Sequence, residues 1–114
     1  MNKWSPIPED DLRGLINIAL SQMNAPQRRL WEVIKIDPVK WKEKSHGEMG
    51  GGFWVVAILG RTVIWYNDIE EGFNISSWTL YGLIDEYRCN QDELQWTIQN
   101  VLNLLSESAT SSRR

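Results

Sequence analysis

The chain has 114 residues, of which 42% are hydrophobic and 24% are charged, and its formal net charge is −3 at pH 7. This length suits one domain, and the composition excludes a wholly disordered chain, a collagen-like repeat and a disulfide-rich scaffold. The longest apolar run, at 53–59, has seven residues and falls far short of the roughly 20 that a membrane helix needs.

The first predicted element is an amphipathic helix over residues 8–23. The acidic residues Glu9, Asp10 and Asp11 stand where a helix N-terminus favours negative charge, and apolar residues then recur at steps of three and four. The sequence Asn-Ala-Pro at 24–26 ends this helix, because proline disfavours helical backbone in the residue before it.

Strands are predicted through the middle of the chain. Residues 30–36 alternate apolar and polar side chains, which indicates a strand, and the apolar run 53–59 indicates a buried one. Gly60-Arg61 then predicts a two-residue type II′ turn, with the glycine at the first turn position, and residues 62–67 form the returning strand.

The last third of the chain predicts more sheet and a second helix. Residues 73–75 form a short strand, and residues 78–87 form a longer one that contains Gly82. The second helix begins at Asn90, with Glu93 three residues later in the manner of a capping box.

These elements together predict an α+β fold. An antiparallel sheet of four or five strands follows from consecutive strands with short links, and the N-terminal and C-terminal helices pack on one face of it. We expect a single domain over residues 1–107 and a disordered polar tail over 108–114, where small polar residues dominate.

The distribution of charge favours a protein partner. Eight acids lie between positions 61 and 107 and only Arg61 and Arg88 oppose them, a net charge of −6. A nucleic-acid-binding protein normally shows a basic excess, so the acidic balance argues against that role, whereas a basic protein can be steered to an acidic face. Solubility alone is the simpler explanation of the same charge.

The single cysteine and the start of the chain indicate the compartment. Cys89 has no second cysteine to pair with, and no apolar leader segment precedes the first helix, so we expect a cytoplasmic protein without membrane attachment. His46, the one histidine, and Cys89 have no local context of a catalytic pair, and classical zinc ligands are too few. We therefore expect no metal and no cofactor.

The acidic and aromatic segment 65–74 is the leading candidate site. A solvated turn or a cation site would also explain its carboxylates, although their pattern is not that of an EF-hand. We favour a partner-binding surface in which carboxylates steer a basic partner and aromatic rings supply buried area. Its predicted residues are Asp68, Glu70, Glu71, Phe73 and Trp78, with Asp85 and Glu86 as neighbours.

The glycine-rich loop that includes Gly50, Gly51 and Gly52 supports an alternative site. It lacks the Lys-Ser/Thr ending of a phosphate-binding loop, but it has the composition of a mobile flap over a pocket. In this alternative, His46 and the glycines form the flap and the pocket is lined by Trp41 or Trp54.

The segment GRTVIWYNDIEEGFNISSWTLYGLIDEYRCNQDE, at 60–93, carries a resemblance. It resembles small uncharacterised single-domain bacterial proteins and is similar to immunity-type proteins, which are often small, acidic and rich in aromatic residues and which neutralise a toxin by binding it. The resemblance implies a binding role and assigns no site residue.

Three functions remain open from the sequence. The first is a non-enzymatic cytoplasmic domain that binds another protein through its acidic, aromatic surface. The second is a small-molecule-binding protein or enzyme with a pocket between sheet and helices, under the glycine-rich flap. The third is a structural homodimer.

Overall fold

The protein is described by a computed structural model over residues 4–47 and 49–111. The elements in chain order are α1 (Glu9–Gln22), α2 (Ala25–Ile34), β1 (Lys35–Glu43), a 3₁₀ turn (Met49–Gly51), β2 (Phe53–Leu59), β3 (Thr62–Asn67), β4 (Gly72–Ser77), β5 (Leu83–Ile84) and α3 (Leu94–Ser111). Within these ranges, no helix combines the length and the apolar character that crossing a membrane requires.

The fold is α+β, with a five-stranded sheet in the order β4-β3-β2-β1-β5. Strands β1 to β4 pair antiparallel, whereas β5 pairs parallel with β1. The predicted antiparallel sheet is therefore confirmed only in part, because the sheet is mixed. The fold contains three α-helices, whereas the sequence predicted two.

The predicted strand over 30–36 is wrong, because residues 25–34 form α2. The side chain of Asn24 accepts from the Gln27 N–H at 3.0 Å, and the Gln27 side chain accepts from the Asn24 N–H at 3.0 Å. This capping box starts a helix immediately after the end of α1. Trp31 and Ile34, three residues apart, then fall on its buried face.

The predicted strand over 78–87 shrinks to β5. Residues 78–82 cross the sheet as a turn, closed by the Leu83 N–H donating to the Leu80 carbonyl at 3.0 Å. Gly82 has a φ of 94°, which only glycine adopts readily. Similarly, α3 begins at Leu94 and not at Asn90, since Asn90 pairs its backbone N–H with the Asn74 side chain at 2.8 Å.

The predicted hairpin of β2 and β3 is confirmed, and Gly60 in its turn has a φ of 58°. A register shift between Val55 and Ala57 places Val56 and Ala57 on the same face of the sheet. β2 is apolar almost throughout because its side chains contribute to a core on each side of the sheet.

The helices cover one face of the sheet, and the other face encloses a second, aromatic core that includes Trp41, Phe53 and Trp65. The sheet curls around this second core until its two edges meet. The Asp85 N–H, directly after β5, donates to the Ser77 carbonyl at the end of β4 at 3.0 Å.

The C-terminal helix is longer than the sequence suggests. It continues through Ser111, so residues 108–111 of the predicted tail are helical, and residues 112–114 lie outside the described part of the chain.

Candidate partner-binding groove

The strongest candidate site is a groove of about 90 Å³ between α1, the β3–β4 turn and the start of α3. We call it the acidic groove. One wall belongs to α1, the floor to β3 and β4, and the far wall to the segment leading into α3. Its lining residues are Leu15, Ile18, Ala19, Tyr66, Glu71, Phe73, Gln91, Asp92, Glu93 and Leu94.

The floor of the acidic groove is aromatic. Tyr66 and Phe73 are cross-strand partners in the antiparallel register of β3 and β4, so their side chains lie on the same face. Their ring centroids are 4.9 Å apart with a tilt of 58°. Both residues are buried, while Ile18 at the rim is 60% exposed and extends the apolar surface outward.

Three carboxylates surround this floor. Glu71 lies in the β3–β4 turn, and Asp92 and Glu93 precede α3. The Phe73 N–H donates to the Asp92 carbonyl at 2.8 Å, which fixes the second segment against the first. Within the described part of the chain, no lysine or arginine lines the groove, so its potential is negative.

The negative potential acts on the tyrosine of the floor. Burial raises the pKa of Tyr66, and the charges of Glu71 and Asp68 raise it further. The hydroxyl therefore remains protonated around neutral pH and offers the groove one donor as well as acceptor lone pairs.

The β3–β4 turn that contains Glu71 is held by hydrogen bonds to the side chain of Asn67, the last residue of β3. Asn67 Oδ1 accepts from the Ile69 and Glu70 backbone N–H groups at 3.0 and 3.2 Å, and Asn67 Nδ2 donates to the Arg88 carbonyl at 2.8 Å. Glu71 itself has a φ of 61°, and it is the only non-glycine residue with positive φ in the described ranges.

Asp68 lies only three residues before Glu71 in the sequence, but it does not face the groove as a free carboxylate. Its Oδ2 accepts from the Ile7 backbone N–H at 2.8 Å and so holds the N-terminal segment, while its Oδ1 is buried without a partner. Burial raises the pKa of Asp68, although the Ile7 N–H and the charge of Lys40 oppose the shift. Its role here is structural.

The structure separates the remaining predicted residues from Glu71. Trp78, Asp85 and Glu86 lie at the opposite end of the six-residue β4, a strand about 17 Å long at the usual rise per residue. Phe73 is 3% exposed and belongs to the floor, not to an outer surface. Glu70 is half-buried, and its carbonyl accepts from the Gln91 side chain at 3.1 Å.

The distant residues connect the two edges of the curled sheet. The Glu86 carboxylate accepts from the Ser77 N–H at 2.9 Å, and the Asp85 carboxylate accepts from the Thr79 hydroxyl at 3.0 Å. The Trp78 indole donates to the Gly60 carbonyl at 3.0 Å. These contacts account for the conformation of the segment from β4 to β5.

The glycine-rich loop is tied to the protein body. Lys40 Nζ donates to the carbonyls of Gly50 and Gly52 at 3.0 and 3.4 Å. A β-carbon at Gly50 would overlap the Trp4 ring, and one at Gly52 would overlap the Trp41 carbonyl. Gly51 lies beside Lys40 Nζ, and Glu48 is outside the described residues.

The tryptophans assigned to the flap alternative do not share a pocket. Trp41 belongs to the aromatic core inside the curl, and Trp54 packs on the helix side of the sheet. Neither they nor His46 line any of the three cavities described here.

A buried carboxylate at the end of β1 is the feature that sequence reasoning missed. Glu43 is 1% exposed, accepts from the Ser45 hydroxyl and the His46 N–H at 2.7 and 3.0 Å, and pairs with His46 Nδ1 at 2.7 Å. Burial pushes the pKa of Glu43 up, but together the Ser45 and His46 hydrogen bonds hold it below the ordinary value. The sequence did contain a signal for this burial: Trp41 and Glu43 alternate with Lys40, Lys42 and Lys44, as side chains on the two faces of a strand do.

The groove residues Ile18, Asp92 and Glu93 were also missed. Ile18 lies in a helix already predicted as amphipathic, and only its 60% exposure distinguishes it. Asp92 and Glu93 are some twenty residues from Glu71, and a backbone bond between β4 and the α3 approach joins them. Among the described residues, no group of three or more His, Cys, Asp or Glu side chains forms a metal site.

Comparison with known proteins finds no matching family, no similar curated protein and no similar solved structure. The geometry of the groove is therefore the basis of the functional argument.

Proposed function

We propose that this chain is a non-enzymatic, cytoplasmic protein-binding domain, immunity-like in its mode of action, that docks a basic partner in the acidic groove. One observation carries the proposal: three carboxylates surround an aromatic floor, and no basic residue lines the groove in the described part of the chain. A lysine or arginine side chain matches this combination of charge and apolar surface.

The two parts of the groove contribute differently to docking. Exposed carboxylates at a rim mainly accelerate encounter and reject like-charged partners. The floor of Tyr66 and Phe73, extended by Ile18, supplies the apolar contact from which most of an interface's affinity arises. We therefore expect salt to slow association more than it speeds dissociation.

The position of His46 favours binding over acid–base catalysis at this site. It is the only histidine of the chain, and its Nδ1 is engaged by Glu43 at the far side of the sheet from the groove. The groove itself offers carboxylates and one phenol, which are ligands for a cationic side chain.

Site-specific cross-linking tests the proposal. A photo-cross-linking amino acid replaces Ile18 at the groove rim in one protein and Val33 on α2 in a matched control, since both positions are well exposed. In a lysate of the cells that make the protein, we expect a basic protein to cross-link at position 18 and not at 33. This product should weaken as salt rises from ~50 to ~500 mM.

Charge variants complete the test. The pair Glu71→Gln and Glu93→Gln should abolish the cross-link, whereas Glu107→Gln, an exposed acid on α3, should preserve it. A cross-link to an acidic protein, or one unaffected by the double variant, contradicts the proposal. A cross-link between two copies of the chain supports the homodimer instead.

A further inference from the structure

A second, larger cavity of about 390 Å³ lies between α1 and the junction of α2 with β1. It uses a different face of α1 from the acidic groove: Arg13, Ile16, Asn17 and Leu20 line the cavity, whereas Leu15, Ile18 and Ala19 line the groove. The cavity-lining residues recur at steps of three and four along α1, so they form one continuous stripe on the helix.

The β1 wall of the cavity is formed by the segment in which β1 bulges relative to β2. Lys35 lies opposite Ala57 and Val39 lies opposite Val55, so four steps along β1 match only two along β2. The extra residues include Pro38, which has no N–H to donate to a neighbouring strand. A bulge of this kind frequently accompanies a binding or active site.

An unpaired donor borders the cavity. Trp31 is 3% exposed and lines the cavity, and its indole N–H makes no hydrogen bond within the described residues. By contrast, the indoles of Trp54 and Trp65 donate to the Ile7 carbonyl and the Ser76 hydroxyl, both at 3.0 Å. An unpaired indole N–H on a cavity-lining residue is a candidate donor for an acceptor that enters the cavity.

Two cations, Arg13 and Lys35, also line the cavity. Arg13 pairs with Glu9 at 2.7 Å and Lys35 pairs with Glu32 at 2.9 Å, and all four side chains are substantially exposed. Exposed pairs of this kind contribute little to stability, so either cation can turn toward an anion at small cost. Asp37 is the one acid that lines the cavity, and Ile16, Leu20 and Ile36 supply apolar surface.

We propose that this cavity binds a small amphipathic anion, a carboxylate attached to an apolar chain. The carboxylate accepts from Trp31 Nε1–H and pairs with Arg13 and Lys35, and the chain lies against Ile16 and Leu20. The site is independent of the acidic groove, which has the opposite charge.

Titration with octanoate, followed by ¹H–¹⁵N NMR of the indole groups, tests this site in the 114-residue chain. The chain has seven tryptophans, and Trp31→Phe identifies the Trp31 indole signal by its loss. We expect octanoate to shift that signal selectively and saturably, while octanol, which has a similar chain and no charge, causes no comparable shift.

Substitutions distinguish the anion site from general apolar binding. Arg13→Gln and Lys35→Gln should each weaken octanoate binding about tenfold, as for loss of a charge-assisted hydrogen bond. Arg28→Gln, a charge change on the exposed surface of α2, should leave the affinity unchanged. The unchanged signals of the other indoles report that each variant remains folded.

Two outcomes overturn the proposal. One is the absence of any octanoate-dependent shift of the Trp31 indole at millimolar ligand. The other is equal binding of octanoate and octanol, or equal binding to the wild type and the Arg13 and Lys35 variants, which would make the cavity an apolar cleft without anion recognition.

Discussion

Glu71 has a left-handed backbone conformation, with a φ of 61°, although Gly72 directly after it does not. The glycine is needed for a different reason: a β-carbon at position 72 would overlap the Asn90 carbonyl and the Gln91 backbone. A glutamate in this conformation is held at a cost of roughly 1–2 kcal/mol. A strained backbone at a surface turn is typical of a functional position, so the strain at Glu71 supports a functional role for its side chain.

The first prediction separates the stability and the function of Glu71. Glu71→Gly should raise the free energy of unfolding by about 0.5–1 kcal/mol, because relief of the left-handed strain exceeds the added freedom of the unfolded chain. The same change should weaken partner cross-linking at position 18. Urea denaturation measures the first effect.

Gly72→Ala is the matched control for this turn, since the new methyl group would meet the backbone of residues 90 and 91. It should destabilise the protein by more than about 1 kcal/mol. If Glu71→Gly proved neutral or destabilising, the strain argument for a functional side chain at position 71 would fail.

The second prediction concerns Asp68, whose pKa is raised by burial in the folded state. Between the lower unfolded pKa and the higher folded one, the folded protein binds more protons, so stability decreases as pH rises through this window. Asp68→Asn removes the buried charge and keeps an oxygen that accepts from the Ile7 N–H. The variant should therefore be more stable than the wild type around neutral pH.

Urea denaturation across a range from about pH 3 to pH 7 measures this difference, which should shrink at the acidic end where Asp68 is protonated. Glu107→Gln, at an exposed position of α3, should show no such trend. A variant less stable than the wild type around neutral pH would mean that the hydrogen bond to Ile7 requires the charged form.

The third prediction concerns Glu43, for which the pH dependence has the opposite sign. Its folded pKa is lowered, so its contribution to stability is present above the unfolded pKa and is lost as pH falls through the folded one. Glu43→Gln should destabilise the protein by about 2 kcal/mol around neutral pH, because the Ser45 and His46 donors lose a charged, buried acceptor.

This loss should diminish in acid, where the wild-type carboxylate is itself protonated. Glu32→Gln removes a carboxylate from an exposed pair with Lys35 and is the matched control, with an expected change below about 1 kcal/mol. Equal effects of the two substitutions would show that the hydrogen bonds to the buried carboxylate at the end of β1 do not stabilise the fold.

Local signals predicted some of these elements well. The hairpin of β2 and β3 follows from an apolar run, a glycine at the first turn position and a second apolar run, all within fifteen residues. The helix at 9–22 follows likewise from its acidic start and its apolar repeat. Each depends on contacts between near neighbours in the chain.

Two elements depend on information that periodicity does not contain. Residues 30–36 fit both a strand and a helix period, and the deciding signal was the Asn24–Gln27 capping pair upstream. Residues 78–87 have strand-forming side chains, but they must cross from one sheet edge to the other, and a turn at Gly82 serves that path better than a strand.

The candidate site was likewise predictable only in part. The acidic turn at Glu71 is visible in the sequence, because carboxylates cluster there. Its meeting with Asp92 and Glu93 depends on a backbone bond from Phe73 to Asp92, which is a tertiary contact. The assignment of Phe73 to the floor depends on its pairing with Tyr66 in the sheet register.

The last prediction tests the closure of the curled sheet. The Ser76 hydroxyl accepts from the Trp65 indole at 3.0 Å and donates to the Glu86 carbonyl at 2.8 Å, so one buried atom joins β3, β4 and the segment after β5. Ser76→Ala leaves a buried indole N–H without an acceptor and should cost about 1–3 kcal/mol. Thr79→Ala, which removes an exposed hydroxyl near the same edge, should cost under about 0.5 kcal/mol in the same urea denaturation measurement. If the two variants were equally stable, the hydroxyl bridge would be incidental to the curl, and packing of Trp65 against Phe53, at a ring-centroid distance of 4.8 Å, would hold the sheet closed without it.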